Sequence, residues 1–284
     1  MSSDSIKRPG RVQEITAVSN SRIKAVRSLA QKKYRDQTGT FIVEGMKLVR
    51  DAFENGWEIE TLIYGTKFKQ ENAGLEDFAA KVRARGSDIL EVNEKVLSSI
   101  TRKDNPQMVV GVLHQRWVEA PRDVSDPTSV WIGLDRVRDP GNLGTIMRTA
   151  DATGAEGIVL IGETTDPYSL EATRASMGSI FNIRLVKKTE GEFLTWQKSW
   201  PGITVGTHLE GSVDYRLVDY HSKPVLLVMG NEQQGLTQEL AADCDQLVRI
   251  PMAGRADSLN LAISTGVVLF HMGKRLPPAE GTNR

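Results

Sequence analysis

Short apolar runs of strand length alternate with segments of helical period along most of the chain. In the N-terminal part the runs are TGTFIVEG, IETLIYG, DILEV and MVVGVL. Between the first two, MKLVRDAFENGW sets Leu48, Val49, Ala52 and Phe53 on one helical face and stops near Gly56. A further helix is predicted over residues 76–85 and a short one at VLSSI. Ahead of them, NSRIKAVRSLAQKKYR spaces Ile23, Val26, Leu29 and Ala30 as the apolar stripe of one amphipathic helix, capped by Ser19 or Asn20. In the C-terminal part, SVWIGLD, GIVLIG, FNIRLV, ITVGTHL, PVLLVMG and QLVRIPM are again of strand length, with helical patterns between several of them. Strands buried on both faces read as continuous apolar runs, so the expected fold is α/β, a mainly parallel sheet with helices on both faces. The last helical segment, SLNLAISTGVVLFHMG, is apolar nearly all round. It is expected to be buried and to end at Gly273 and the prolines 277 and 278.

These patterns divide the chain into a mobile tail at residues 1–14, a smaller α/β domain at 15–116, a linker at 117–129, a second α/β domain at 130–277 and a short tail at 278–284. A length of 284 residues is about twice that of a typical domain, which agrees with two. The hydrophobic fraction of 39% with 25% charged residues excludes a chain that is disordered throughout.

Charge changes this picture. Lysine and arginine total 36, as do aspartate and glutamate, a balance that argues against a polyanionic partner when taken whole. Residues 1–35, however, hold nine basic side chains against two acidic ones, a local +7 that leaves −7 for the other 249 residues. Arg22, Lys24, Arg27, Lys32 and Lys33 of this stretch are either a solvated face or contacts to nucleic-acid phosphates, and the one-sided excess favours the second reading. The single cysteine, Cys244, excludes an internal disulfide and a thiolate zinc cluster, and its neighbours Asp243 and Asp245 disfavour a thiolate. No apolar core follows the N-terminal charges and no membrane-length run exists, so a cytoplasmic protein without membrane partner is expected.

Common signatures are missing. No two of the 25 glycines are spaced as GxG, which removes the dinucleotide fingerprint and the usual glycine-rich methyl-donor loop, and no GK[ST] or GxSxG is present. The histidines at 114, 208, 221 and 271 are scattered, so no metal site is expected. What remains are three polar loops at the ends of predicted strands: DRVRDPGNLGTIMRTA, GNEQQGL and IPMAGRADSLN.

Together these loops resemble the motifs of the SpoU/TrmH branch of the SPOUT RNA methyltransferases, with RASMGSIF at 174–181 as a fourth matching element. NSRIK, the basic stretch and FIVEGMKLVRDA are similar to the L30e-like substrate-binding domain of one subset of that family. The resemblance implies transfer of a methyl group from S-adenosylmethionine to a ribose 2′-hydroxyl, a C-terminal trefoil-knotted SPOUT domain, and a homodimer packed through the knotted region. It implies donor contacts at Thr207, Gly230, Asn231, Gly235, Ile250, Met252, Ser258 and Leu259. Gln233 departs from the family, which commonly has glycine there, and puts the local loop shape in question.

A ribose hydroxyl is a weak nucleophile at neutral pH, so alignment and stabilisation of a developing alkoxide are the tasks left to the protein. Arg148, Asn142, Glu232 and Asn260 are the candidate catalytic residues. An arginine, with its pKa above about 12, is a poor general base. The role assigned to Arg148 is to grip the adjacent phosphate and stabilise the oxyanion, with the proton passing to that phosphate, to water or to an arginine of perturbed pKa. Asn142 either orients Arg148 or satisfies turn backbone; Glu232 either fixes the arginine or caps the next helix; Ser258 either shapes the donor loop or caps the last helix. Arg174 and Arg138 are assigned to RNA backbone or to acidic neighbours. Structured RNA is the implied partner, with large-subunit (23S) ribosomal RNA favoured over transfer RNA. A non-catalytic RNA-binding protein on the same fold is the alternative, and a nucleotide-dependent oxidoreductase is disfavoured by the missing GxG.

Overall fold

The computed structural model describes residues 8–101, 107–208 and 213–276. They form two compact units, one within Met1–Gln115 plus Tyr168–Arg174 and one within Arg116–Pro167 plus Ala175–Arg284.

The first unit carries β1 (Val12–Ile15), β2 (Thr40–Glu44), β3 (Ile59–Gly65), β4 (Asp88–Val92) and β5 (Val109–His114) in the order β1-β4-β3-β5-β2. Only β5 runs antiparallel to its neighbours. Helices α1 (Ser21–Ser28), α2 (Lys32–Thr38), α3 (Met46–Glu54), α4 (Thr66–Glu71), α5 (Ala73–Ala84) and α6 (Glu94–Thr101) accompany the strands. Ile23, Val26 and Leu29 pack into one core with Ile42, Ile63, Leu90, Val96 and Leu97.

Four expectations are corrected here. Residues 12–14 of the supposed tail pair with β4 together with Ile15, Val12 with Ile89 through Ile15 with Val92, so backbone hydrogen bonding orders them; residues 1–7 of that tail and the final tail at 278–284 lie outside the described residues. The single basic helix is two helices, α1 capped by Asn20 and α2 starting after extended Gln31. At the break, buried Arg35 donates to the Leu29 carbonyl at 2.7 Å, satisfying an acceptor that a continuous helix would have used. Helix α4 was not expected. Finally, Tyr168–Arg174 belongs to the first unit: Leu170 packs on its core and the Tyr168 ring lies 4.7 Å from that of Phe41.

The second unit is a seven-stranded sheet with every pairing parallel, in the order β10-β12-β9-β11-β6-β7-β8. Its strands are β6 (Val130–Asp135), β7 (Gly157–Ile161), β8 (Arg184–Lys188), β9 (Ile203–Thr207), β10 (Val213–Asp214), β11 (Val225–Met229) and β12 (Gln246–Arg249). The helices are α7 (Pro140–Ala152), α9 (Glu190–Gln197), α10 (Gln238–Ala242) and α11 (Leu261–Met272), while α8 (Leu170–Ala175) falls almost wholly within the first unit's Tyr168–Arg174 segment. Every residue of β6, β7 and β11 is buried, which explains their unbroken apolar sequences. The presumed linker is packed: Ala120 and Val124 join the core around Trp131, Phe193 and Trp200, and the Trp196 indole donates to the Pro121 carbonyl at 2.8 Å. Helix α11 is not buried all round, because Ile263 and Phe270 are 54% and 52% exposed on one stripe.

Chain order leads from β6 outward through β7 to β8, while β11 and β9 lie on the other side of β6. The loops leaving β6 and β11 therefore part at the sheet's switch point, where a crevice opens at the carboxyl ends of the strands.

Candidate active site

Two adjoining cavities occupy that crevice in the second unit. The first, about 440 Å³, is lined by Thr207, Gly230, Asn231, Gly235, Ile250, Met252, Ser258 and Leu259, the eight residues assigned to the donor, and also by His208 and Met229, which had not been singled out. Its size falls in the range of cofactor pockets. The second, about 710 Å³ and more polar, is lined by Arg136, Arg138, Asp139, Asn142 and Asn260. Residues 231–234 together with Ser258 and Leu259 line both, so the loop after β11 forms the wall between them.

That wall is tightly built. Asn231 and Gly235 exchange backbone hydrogen bonds of 3.0 Å in both directions, and the Asn231 carboxamide oxygen accepts from the amides of Gln233 and Gln234 at 3.0 and 3.1 Å. Gly230 is required by space: a Cβ there would lie 2.2 Å from the carbonyl carbon of Gly235. Gly235 is required by its backbone, at φ +68°. Gln233, the departure from the family pattern, sits in this Asn231-held turn without breaking it. The backbone cradle at Gly230 and the apolar side chains of Met229, Ile250 and Leu259 fit the adenosine of S-adenosylmethionine.

Three of the four candidate catalytic residues meet at the wall. Asn142 donates to Glu232 at 3.3 Å, and the Asn260 side-chain amide donates to the Asn142 side-chain oxygen at 2.9 Å. Glu232 does not cap α10, which Thr237 does; it accepts the backbone amides of Arg138 and Asp139 at 3.3–3.4 Å, ahead of α7. Asp139 caps α7 by accepting from the Asn142 amide at 2.6 Å, which leaves the Asn142 side chain free for Glu232 and Asn260. Ser258 does not cap α11 either. Asn260 does, accepting from the amides of Ala262 and Ile263 at 2.9 and 3.3 Å. One asparagine thus joins the mouths of α7 and α11.

Arg148 stands apart. It is exposed on α7, lines neither cavity, and its side chain has no hydrogen bond or ion pair among the described residues. Six positions separate it from Asn142, about 9 Å of helical rise.

Comparison with known proteins then decides the family. The SpoU rRNA methylase family model matches residues 129–270, and the MRM3-like substrate-binding domain model matches residues 20–111. The chain belongs to the SpoU rRNA methylase family. It is an RNA ribose 2′-O-methyltransferase that uses S-adenosylmethionine. Among its SpoU relatives is the Streptomyces viridochromogenes 23S rRNA (uridine(2479)-2′-O)-methyltransferase, 34% identical with 85% of each chain covered. The Bacillus subtilis 23S rRNA (guanosine(2553)-2′-O)-methyltransferase is 28% identical over 92% of this chain and 99% of that one. The AdoMet-bound rRNA methyltransferase structure from Sinorhizobium meliloti is 55% identical, with a TM-score of 0.86 over 94% of this chain and 99% of that one.

The basic residues assigned to RNA in this SpoU chain divide by surroundings. Lys24, Lys32 and Lys33 are exposed. Arg22 is held by Asp88 at 2.6 Å, and Arg27 keeps a buried Nε with no hydrogen-bond partner among the described residues. Arg174 is not a free RNA contact: its Nε donates to buried Glu44 at 3.0 Å and a second nitrogen meets the same oxygen. Among the described residues no group of three or more His, Cys, Asp or Glu is placed to hold a metal ion, and no helix is long and apolar enough to cross a membrane.

Proposed function

We propose that this chain methylates a ribose 2′-hydroxyl in large-subunit ribosomal RNA, acting in the cytoplasm as a homodimer with a knotted catalytic domain. The observation that carries the site assignment is the Asn142–Glu232–Asn260 cluster, which stands between the donor-sized cavity and the open polar cavity. S-adenosylmethionine supplies an activated sulfonium methyl when bound. The chain's own residues then have to orient the ribose and to stabilise its oxygen as the proton leaves.

Glu232 and Asn142 do the orienting. The carboxylate, fixed by two backbone amides, holds the Asn142 amide, and Asn260 holds its oxygen, so the cluster presents one geometry to the acceptor cavity. Arg148 is the cation available to a phosphate laid across α7, where its fork can take two oxygens. The exposed stripe of Ile263 and Phe270 supports pairing of two copies through α11. The knot is supported by connectivity: after β12, beyond β9, the chain returns to pack α11 on α7. The ribosomal substrate is supported by full-length relatives named for 23S rRNA.

The test is transfer of labelled methyl from S-adenosylmethionine to total RNA from cells lacking the gene, followed by mapping of 2′-O-methyl sites. A single new mark in large-subunit RNA is expected. A mark confined to transfer RNA would overturn the substrate, and donor binding without transfer to any RNA would overturn catalysis.

A further inference from the structure

Arg136, the first residue after β6, has a backbone that arginine avoids, with φ +48° in the left-handed region. That conformation crowds the Cβ of a side-chain-bearing residue against its own backbone, whereas glycine adopts it freely. A strained residue at a functional site persists because its surroundings determine it, and those of Arg136 are specific. Its amide donates to the Ile161 carbonyl at 3.0 Å, at the end of β7. Its carbonyl accepts from the Asn231 side chain at 2.9 Å.

The guanidinium is equally committed. Nε and one Nη take the two oxygens of Asp135 at 2.8 and 2.9 Å, a two-point clamp on a carboxylate with no solvent exposure. The other Nη donates to the Gln234 side chain at 2.9 Å, and the Asp135-facing one also reaches the Gly235 carbonyl at 3.4 Å. Three of these bonds therefore end on the 231–235 loop, which its own internal hydrogen bonds make a stiff unit. That loop carries Glu232 on one side and lines the donor cavity with Gly235 on the other.

We propose that Arg136 is a positioning residue for methyl transfer: clamped on buried Asp135, it sets the loop between the two cavities and so aligns Glu232 with the donor. The proposal rests on the methyltransferase reading of the site. An exposed arginine in an ordinary surface ion pair would contribute little to stability and would not move donor binding. Here the carboxylate is buried and the remaining nitrogens reach across the crevice to the loop.

The test uses the full-length chain. Replacing Arg136 alone would leave the Asp135 charge buried and unpaired, which is strongly destabilising, so the informative variant is Asp135→Asn with Arg136→Gly, which also relieves the backbone. It is expected to unfold near the wild-type temperature, yet to bind S-adenosylmethionine about tenfold more weakly and to lose about a hundredfold in kcat. Arg136→Lys, which keeps a charge beside Asp135 but cannot span to the loop, is expected to fold and to show the same weaker donor binding; it decides the matter if the double variant fails to fold. Wild-type donor affinity and kcat in the folded variants would overturn the role. Loss of activity only in proportion to unfolded protein would overturn it too. Absence of donor binding or transfer in the wild-type chain would instead refute the reading of the site, leaving a separate signature.

Discussion

Asn260 does two jobs with opposite ends of one carboxamide. Its oxygen caps α11 and its nitrogen holds Asn142. Asn260→Asp separates them, because aspartate caps as well as asparagine but presents a second acceptor to the Asn142 oxygen. Either the two repel, or Asn142 turns over and sets its oxygen against Glu232. The thermal midpoint of this variant should stay near wild type while methyl transfer falls about a hundredfold; assay and melt on one sample check both. Arg148 makes a cleaner case, since its side chain has no hydrogen bond or ion pair among the described residues. Arg148→Ala should leave stability and donor affinity within a fewfold of wild type and abolish transfer, measured by calorimetry and labelled-methyl assay; normal turnover would remove it from the mechanism. Cys244 belongs at the other extreme. Burial and Asp245 push its thiol up to about 12, so it is a packing residue beside Gly206.

At the level of elements, the strands were the most legible part of the sequence, because buried parallel strands must be apolar at every position and β6, β7 and β11 are. Loops with distinctive polar composition were legible too, and the donor cavity gathers those read from them. What could not be read depends on distant partners. The α1–α2 break needs Arg35 folded back on Leu29, and the Arg136 clamp needs a left-handed backbone that no local pattern announces. Charge counts also overstate the footprint, since Arg22, Arg35 and Arg174 are spent inside the fold. Of the α1 and α2 side chains proposed to meet RNA, Lys24, Lys32 and Lys33 are exposed and Arg27 is half-buried. Reversing the three lysines should weaken RNA binding and flatten its dependence on salt; an unchanged slope in titrations at several ionic strengths would exclude these helices from the footprint.

A second element-scale effect concerns acid. Burial works to raise the Glu156 carboxyl, but the Ser129 hydroxyl and the guanidiniums of Arg275 and Arg184 outweigh it and hold the group below its ordinary 4.5. Arg275, which follows α11, is thereby tied at 2.7 Å to the start of β7. A depressed folded value means the stabilisation is complete above the ordinary value and disappears as pH falls through the depressed one. Glu156→Gln should cost about 1–3 kcal/mol at neutral pH, and the deficit should close as denaturation is followed into acid.

For the whole molecule, a net charge of zero conceals a partition: residues 1–35 carry +7 and the remaining 249 residues −7, which is the division expected if the amino end meets RNA. The remaining question at this scale is what covers α11. Ile263 and Phe270 lie seven residues apart, two helical turns, so both face the same way with half-buried Val267 between them. Isolated exposed apolar residues are ordinary, but a stripe on a helix that also seats Asn260 at its first turn has a closer connection to function. Pairing through this stripe would place both copies' α11 helices back to back and hold their N-caps rigid. Ile263→Glu with Phe270→Glu should leave the protomer folded, because neither side chain belongs to the core, and should convert a dimer to a monomer in sedimentation equilibrium. Methyl transfer should fall with the dimer fraction, recovering as concentration rises. A variant that stays dimeric would place the interface elsewhere, and a fully active monomer would show that the site is complete within one chain.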